Sequence, residues 1–199
     1  MHPNTQALII LAGGLGTRMG HVKKAFLDMG GKPIIQRLLD ELAPAFGEVV
    51  ISCRDSEDFA DYPATLAPDR FEARSSLTGI HAGLSAMRST HAFICACDAP
   101  FVRRKLAETL MREAKPEDDV VIPLKSDGYM EPLCAVYSKR CITPVSEQLS
   151  RDDFKIIRFF DQVRVRTVDA ETLRKADPEL VSFMNVNTPE ELAASRKLL

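Results

Sequence analysis

Residues 7–20 read ALIILAGGLGTRMG, an apolar run that passes directly into glycines and an arginine. The apolar part, residues 7–12, favours a β-strand, and its lack of polar residues is typical of a strand covered on both faces, as in a parallel sheet. Residues 48–52 and 93–97 form two more runs of the same kind. The opening stretch therefore predicts a buried parallel strand that leads into a glycine-rich loop at one edge of a sheet.

Helical patterns separate these strands. Residues 33–46 carry apolar side chains at three- and four-residue spacing, with Pro33 near the first turn, and residues 77–87 and 105–114 also read as helices. Strands that alternate with helices predict right-handed crossovers and a mostly parallel sheet between two helical layers. The predicted fold class is thus α/β, a three-layer α/β/α sandwich of the Rossmann-like kind.

The second half of the chain is less regular. The final helix has the clearest start signal, because Thr188 can cap it, Pro189 suits its first position and Glu191 completes a capping box. The length favours a single domain over residues 1–199. The other elements that we predict here are strands at residues 120–123, 132–137, 163–168 and 181–186, and helices at residues 141–149 and 154–160.

The composition excludes several classes of protein. With 26 Lys and Arg against 28 Asp and Glu in 199 residues, the formal charge is −2, and there is no overall basic footprint for nucleic acid. The apolar run near the start is far shorter than the roughly 20 residues of a membrane span, and no signal-peptide pattern precedes it. Five irregularly spaced cysteines, read as buried free thiols, fit a reducing compartment. We expect a cytoplasmic protein without a nucleic-acid or membrane partner.

Six of the ten glycines lie between Gly13 and Gly31. A loop of this kind after a buried strand lets backbone N–H groups converge on an anion. It lacks the Gly-Lys-Ser/Thr ending of a Walker A loop, and its glycine spacing suits a dinucleotide fold poorly. Each lysine alone would suit a solvated basic loop, but cations beside converging amides predict a polyphosphate ligand. The cations that follow the first glycines are Arg18, Lys23, Lys24 and Lys32.

Asp98 directly follows the run at residues 93–97. In open α/β sheets ligands bind at the carboxyl ends of the strands, so Asp98 and the glycine loop should share one edge. A carboxylate beside a polyphosphate needs a cation between them, and Mg²⁺ is the natural bridge. The alternative interpretation is a turn-forming aspartate close to Pro100.

The chain shows no G-x-S-x-G or H-E-x-x-H motif, and none of its four histidines pairs locally with an acid or a nucleophile. The candidate residues can therefore bind phosphate, but none of them is an obvious general base. Attack by an already ionised phosphate on the α-phosphate of a nucleoside triphosphate fits these residues, because such a nucleophile needs no deprotonation.

Several ordered segments resemble the molybdenum cofactor guanylyltransferases, members of the nucleotidyltransferase A-type α/β family. The resemblance covers nearly the whole chain and implies transfer of GMP from GTP to a molybdopterin that carries molybdenum. The products would be the guanine dinucleotide cofactor and pyrophosphate, with Mg²⁺ as cofactor and handover of the product to molybdoenzymes or their chaperones. The matching segments are residues 11–14, 18–20, 31–33, 77–80, 97–101, 132–137 and 185–192, the last of which reads NVNTPEEL.

The resemblance also implies roles for individual residues. The nucleotide-binding half would be residues 1–101, and the acceptor-binding half would be residues 102–199. Lys24 would hold the triphosphate, Asp98 would hold Mg²⁺ as well as nucleotide, and Asp69 would lie on the guanosine side. The remaining implied contacts are Leu11, Ala12, Gly13, Gly14 and Ser52 for the nucleotide, Arg18 with Lys24 and Asp98 for catalysis, and Gly79, Pro132, Asn185 and Asn187 for the acceptor.

This chain departs from the family pattern at several positions. Lys23 replaces a common acid and so competes with Lys24 for the catalytic assignment, and Ser52 replaces a frequent Asn. Residues 75–76, two serines, replace a Gly-Pro pair, and Glu131 replaces a commoner His or Gln. Residues 13–14, Gly-Gly, resemble the guanylyl enzymes, whereas the sister cytidylyltransferases usually carry Ala-Gly there.

Other functions stay open at this point. A CTP:molybdopterin cytidylyltransferase and a sugar-phosphate nucleotidyltransferase would use the same Mg²⁺ chemistry. A nucleotide-binding regulatory module without catalysis belongs to a different class, and the presence of both Lys24 and Asp98 argues against it. The glycine spacing disfavours a dinucleotide-dependent oxidoreductase.

Overall fold

The computed structural model describes residues 6–16 and 22–196, whose strands form a seven-stranded sheet and a small two-stranded ribbon. The sheet contains β1 (Gln6–Leu11), β4 (Glu48–Cys53), β5 (Thr65–Pro68), β6 (His91–Ala96), β7 (Val120–Pro123), β8 (Cys134–Ser138) and β9 (Val165–Val168). The ribbon pairs β2 (Leu15–Gly16) with β3 (Val22–Lys23) in antiparallel fashion. The α-helices are α1 (Ile34–Leu42), α2 (Ser76–Ala86), α3 (Arg104–Glu113), α4 (Ile142–Leu149), α5 (Ala170–Ala176) and α6 (Pro189–Ser195).

The large sheet has the order β5-β4-β1-β6-β8-β7-β9. Its strands are parallel except β8, which runs antiparallel to both β6 and β7. The prediction of a mostly parallel sheet is therefore confirmed. One strand runs against the others because the chain returns from β7 to β8 through a short connection at one edge instead of a crossover helix.

Alternate residues of β1 pack into two separate cores. Leu8 and Ile10 lie in the same cluster as apolar residues of α1, α3 and α5, whereas Ile9 and Leu11 lie in a cluster with residues of α2 and α4. This alternation follows from the two-residue period of a strand and gives the predicted three-layer sandwich. On the α2 side, a Cβ at Gly83 would lie 2.5 Å from Cγ2 of Ile9, so only glycine lets α2 approach β1 this closely.

The sequence pattern overestimates the regularity of some segments. The predicted helix at residues 33–46 ends as an α-helix at Leu42 and continues as a 3₁₀ turn, Ala43–Ala45, because Pro44 has no N–H for the helical ladder. The helix predicted at residues 154–160 is a 3₁₀ helix that spans Ile156–Gln162. The edge strand β5 has no predicted counterpart, since it spans only four residues and ends in Pro68.

The predicted strand at residues 181–186 is wrong. Val181–Phe183 form a 3₁₀ helix that follows Leu180 in a left-handed conformation, with φ of 53°. The N–H of Ser182 donates to the carboxylate of Asp177, and the Ser182 hydroxyl accepts from the N–H of Arg103. These hydrogen bonds, one within the segment and one to a residue distant in the chain, give the backbone an alternative to a sheet ladder.

The capping box of the last helix is present as predicted, with Thr188 as the N-cap and Pro189 at the first helical position. All five cysteines are free and buried, which confirms their interpretation as core thiols. Among residues 6–16 and 22–196, no helix has the length and apolar character needed to cross a membrane.

Candidate active site

A cavity of about 440 Å³ opens at the carboxyl edge of the sheet, where β1, β4 and β6 end side by side. Its volume lies within the range of small-ligand pockets, about 300–1,000 Å³. Gly13 and Gly14 after β1, Ser52 on β4 and Asp98 after β6 all line it. The predicted meeting of the glycine loop and Asp98 at one edge is confirmed.

Neighbouring strands hold the exit of β1 in place. The N–H of Ala12 donates to the carbonyl of Ser52 at 2.8 Å, and the N–H of Cys97 donates to the carbonyl of Leu11 at 3.1 Å. Gly13 and Gly14 then follow in exposed positions. A Cβ at Gly14 would meet no atom of the described part of the chain within 4 Å, so the backbone there is open to a ligand. Arg18 and the rest of residues 17–21 lie outside the described residues.

The two adjacent lysines face in different directions. The ammonium of Lys23 pairs with Asp55 at 2.8 Å and also with Asp58. Nζ of Lys24 donates to Oδ1 of Asn187 at 2.6 Å and lies 3.9 Å from Oδ2 of Asp98. Lys24 lines the cavity, whereas Lys23 lines a smaller adjoining depression beside Arg54, which shares Gly13 and Gly14 with the cavity. The sequence favoured Lys24 by its distance from Gly20 with Lys23 as a competitor, and it is Lys24 that lines this cavity.

Asp98 supplies a carboxylate that is well suited to a cation. Burial raises its pKa, and the ammonium of Lys24 opposes that shift. A partly desolvated carboxylate gains from a positive partner, which a ligand or metal can provide. No cluster of three or more metal-ligating side chains occurs among the described residues. A lone carboxylate fits Mg²⁺ when substrate phosphates complete the coordination, as is usual for this ion.

Asp69 also lines the cavity, directly after β5, which β4 and β1 separate from β6 and Asp98. Its Oδ1 is buried and accepts no hydrogen bond within the described part of the chain, and burial raises the pKa of the carboxyl, opposed by Arg54. A Cβ at Gly13 would stand 3.8 Å from Oδ2 of Asp69. The buried oxygen is an open acceptor for a donor group on a ligand.

Gly79 lies beside the nucleotide candidates and not beside the other acceptor candidates. It is on α2, and a Cβ there would lie 3.1 Å from Oγ of Ser52 and 3.4 Å from Cδ2 of Leu11. The hydroxyl of Ser52 is buried, so Gly79 and Ser52 form one tight wall of the cavity. A Cβ at residue 79 would therefore require Ser52 or Leu11 to move by a few tenths of an ångström.

The other three acceptor candidates are spread over two segments. Asn187 reaches the cavity through its hydrogen bond with Lys24. Asn185 is exposed, and Pro132 is half-buried with its carbonyl accepting from the hydroxyl of Tyr137 at 2.7 Å. Neither Asn185 nor Pro132 lines the cavity, although Leu133, next to Pro132, does.

Three polar residues at the start of α2 also line the cavity, and sequence reasoning gave none of them a site role. They are Arg74, Ser75 and Ser76. Ser75 caps α2 by accepting from the N–H of Thr78 at 3.1 Å. A signal was available, because a serine directly before a helical pattern marks an N-terminus, and such ends favour anions.

Comparison with known proteins agrees with this geometry. Residues 8–167 match the family model of the MobA-like NTP transferase domain. A protein of Desulfosudis oleivorans named molybdenum cofactor guanylyltransferase is 42% identical over 184 residues, covering 92% of this chain and 91% of that protein. A protein of the same name from Vibrio cholerae is 30% identical and covers 97% of this chain and 92% of its own length.

Solved structures give the same result. Molybdopterin-guanine dinucleotide biosynthesis protein A from Archaeoglobus fulgidus superposes with a TM-score of 0.85 at 30% identity, covering 96% of this chain and 97% of that one. The 2-C-methyl-D-erythritol 4-phosphate cytidylyltransferase of Thermus thermophilus has a TM-score of 0.69 at 15% identity over 96% of this chain and 97% of its own. At that identity, the second likeness concerns the fold alone.

Proposed function

The chain belongs to the family of MobA-like NTP transferase domains, and we propose that it transfers GMP from GTP to the molybdenum cofactor, giving the guanine dinucleotide cofactor and pyrophosphate. The observation that carries this function is the placement of Lys24 and Asp98, 3.9 Å apart, in a cavity that also contains the glycine backbone after β1. A cation and a carboxylate at the strand ends suit a triphosphate better than an uncharged ligand.

The nucleotide contacts come from the first half of the chain, residues 1–101. Leu11, Ala12 and the two glycines after them bind the nucleotide, and Ser52 contacts the nucleoside. The carboxylate of Asp69 accepts from the guanine base, a role supported by its buried Oδ1, which has no hydrogen-bond partner among residues 6–16 and 22–196. Guanine presents N–H donors on one edge, and a carboxylate is an acceptor with two oxygens, so the two are complementary.

Lys24 and Asp98 bind the triphosphate, and Arg18, which lies outside the described residues, is assigned to catalysis from the family resemblance alone. The ammonium of Lys24 spreads the negative charge that develops as the bond between the α- and β-phosphates breaks. Mg²⁺ held by Asp98 and phosphate oxygens supplies further charge neutralisation when it is bound. The support for this arrangement is the position of Asp98 in the cavity, 3.9 Å from Nζ of Lys24, and burial of the carboxyl, which raises its pKa and disfavours its charge unless a cation compensates it.

The acceptor contacts come from the second half, residues 102–199, with Asn185, Asn187 and Pro132, while Gly79 shapes the wall that Ser52 shares. A phosphate oxygen of the acceptor attacks the α-phosphate of GTP, one P–O bond forms, and pyrophosphate leaves with the electrons of the broken bond. The attacking phosphate is already ionised near neutral pH, so the protein orients it and abstracts no proton.

The location and the next partner belong to the same proposal. The five free cysteines fit a reducing cytoplasm. The product then passes to molybdoenzymes or their chaperones, the proteins that use such a cofactor.

The test is an assay of the purified chain with molybdenum-loaded molybdopterin, Mg²⁺ and each of GTP, CTP, UTP and ATP. We expect pyrophosphate release and a guanine dinucleotide product with GTP alone. Preferential turnover of CTP would favour a cytidylyltransferase, and turnover when a sugar phosphate replaces the molybdopterin in a parallel assay would favour that class of acceptor. GTP binding without pyrophosphate release under any condition would favour a regulatory module.

A further inference from the structure

Residues 186 and 187 connect two parts of the catalytic edge. The N–H of Val186 donates to the main-chain carbonyl of Asp98 at 2.6 Å. The side-chain Oδ1 of Asn187 accepts from Nζ of Lys24, also at 2.6 Å. Two consecutive residues therefore contact the main chain of the carboxylate residue and the ammonium of the lysine. The position of residues 186 and 187 depends in turn on the hydrogen bonds that hold their own main chain.

The cap of α6 holds this segment through an additional bond. Oγ1 of Thr188 accepts from the N–H of Glu191 at 3.2 Å, and Oε2 of Glu191 accepts from the N–H of Thr188 at 3.2 Å. These two bonds make an ordinary capping box. The same Oε2 also accepts from the N–H of Asn187 at 2.6 Å, which is shorter than either bond of the box.

We propose that Glu191 is a positioning residue for Lys24. Its carboxylate fixes the main chain of Asn187, and Asn187 in turn holds the ammonium of Lys24 in the cavity beside Asp98. A free lysine side chain loses much rotamer entropy when it is fixed on a ligand, and a lysine that is held beforehand loses less. The inference rests on the proposed function, in which Lys24 binds the triphosphate.

The capping box offers a matched control for the stability of α6. Thr188→Ala removes the bond from Thr188 to the N–H of Glu191 and leaves the bond from Glu191 to Asn187 available. Glu191→Ala keeps the bond to the Thr188 hydroxyl, because its donor is a backbone N–H, and removes the two bonds that Oε2 accepts from the N–H groups of Thr188 and Asn187. Each loss of a cap should lower the melting temperature by roughly 2–4 °C. A role limited to capping would make the two variants alike in every respect.

The experiment measures the affinity of the full chain for GTP and for GMP, because GMP lacks the phosphates that Lys24 would hold. We expect Glu191→Ala to lower the GTP/GMP affinity ratio about tenfold, the scale of one charge-assisted hydrogen bond. Glu191→Gln keeps an oxygen acceptor and should restore most of the ratio. Glu191→Asp, which is one methylene shorter, should lower the ratio as well, and it tests the proposal if the alanine variant does not fold. Thr188→Ala should leave the ratio unchanged.

Two results would overturn the proposal in different ways. If Thr188→Ala and Glu191→Ala change the ratio equally, or if neither changes it, Glu191 acts as a helix cap alone and the function of Lys24 stands. If Lys24→Ala itself leaves the GTP/GMP ratio unchanged, the role of Lys24 in the proposed function fails, and the positioning role of Glu191 fails with it.

Discussion

Nζ of Lys24 lies 3.9 Å from Oδ2 of Asp98 across the cavity at the end of β1 and β6. This separation allows electrostatic attraction but is too long for a hydrogen bond. The carboxylate therefore keeps its oxygens available for another ligand, while the ammonium remains within reach of a phosphate. A tighter pair would neutralise itself and bind a charged substrate less well.

Replacement of Asp98 should stop the reaction without unfolding the protein. We expect Asp98→Asn to lower Mg²⁺-dependent pyrophosphate release roughly 10²–10³-fold, the scale for loss of one group that stabilises developing charge. The fold should persist, because burial of the ionised carboxyl is unfavourable, as its raised pKa indicates. Pyrophosphate release and thermal melting measure the two effects. Unchanged turnover in this variant would remove Asp98 from the metal site.

The two adjacent lysines should differ strongly in their effect on turnover. Lys24→Ala should lower kcat/KM about 10²-fold, because it removes the ammonium that faces the triphosphate. Lys23→Ala is the matched control, since its exposed ammonium pairs with Asp55 and Asp58 outside the cavity, and surface pairs contribute little. Both variants should be assayed with the same GTP and acceptor. The reverse ranking would move the catalytic role to Lys23.

A methyl group at residue 13 should change the choice of base. The Cβ of Gly13→Ala would lie 3.8 Å from Oδ2 of Asp69 and 3.8 Å from the backbone N of Arg54, which is ordinary van der Waals contact. The variant should therefore fold normally. The methyl group would stand next to the carboxylate that we assign to guanine, and one such group changes selectivity roughly tenfold or more.

The measurement for this variant is the ratio of kcat/KM for GTP to that for CTP. We expect the ratio to fall in Gly13→Ala. Gly79→Ala gives a steric comparison, because its Cβ would lie only 3.1 Å from Oγ of Ser52 and would force a shift of the wall. An unchanged GTP/CTP ratio in a well-folded Gly13→Ala protein would place the base away from Asp69.

Ionisation of Asp98 should lower the stability of the protein as pH rises. Its pKa in the folded state is raised above the ordinary value of 3.8, chiefly by burial, so the folded state binds the proton more tightly than the unfolded state. The contribution of this residue is therefore most favourable below pH 3.8 and is lost as pH rises through the raised pKa. The side chain at residue 98 in Asp98→Asn does not titrate, so this variant lacks that pH-dependent contribution.

The melting temperature of Asp98→Asn relative to the original chain should accordingly increase as pH rises above 3.8 and then level off. Melting curves across the acidic range to neutral pH, recorded without nucleotide or Mg²⁺, test this. Other carboxyls, such as Glu48 and Asp118, contribute the same pH dependence to both proteins, so their contribution cancels in the difference. The pKa values of these two are lowered by hydrogen bonds and arginine partners, against the effect of burial. A constant difference between the two proteins at every pH would contradict the prediction.

Sequence patterns predicted the elements of the fold that depend on interactions between residues close in the chain. The apolar run at residues 7–12, the capping box at Thr188 and the strand Val120–Pro123 depend on neighbours in the chain, and the structure matches them. The strand predicted at residues 181–186 failed because Ser182 bonds to Asp177 and to the distant Arg103. Such tertiary hydrogen bonds leave no periodic signal in the sequence.

The candidate site was also predicted only in part. Because ligands bind at the carboxyl ends of strands in open α/β sheets, the sequence correctly placed Gly13 and Asp98 at the same edge. Sequence kept Lys23 as a competitor of Lys24, because their partners lie 32 or more residues away, at Asp55 for one and Asn187 for the other. These distinctions depend on which side chains the folded chain brings together.

The reversed direction of β8 has a further consequence. Because β8 runs against its neighbours, its first residues and the connection from β7 both lie at the edge that carries the cavity, and Leu133 joins its wall. A parallel strand would have required a helix to bring the chain back from the opposite edge. Residues 124–133 can therefore lengthen, shorten or change sequence while the ladder that supports the glycine loop stays intact, so the fold can evolve for a new acceptor independently of the nucleotide it uses.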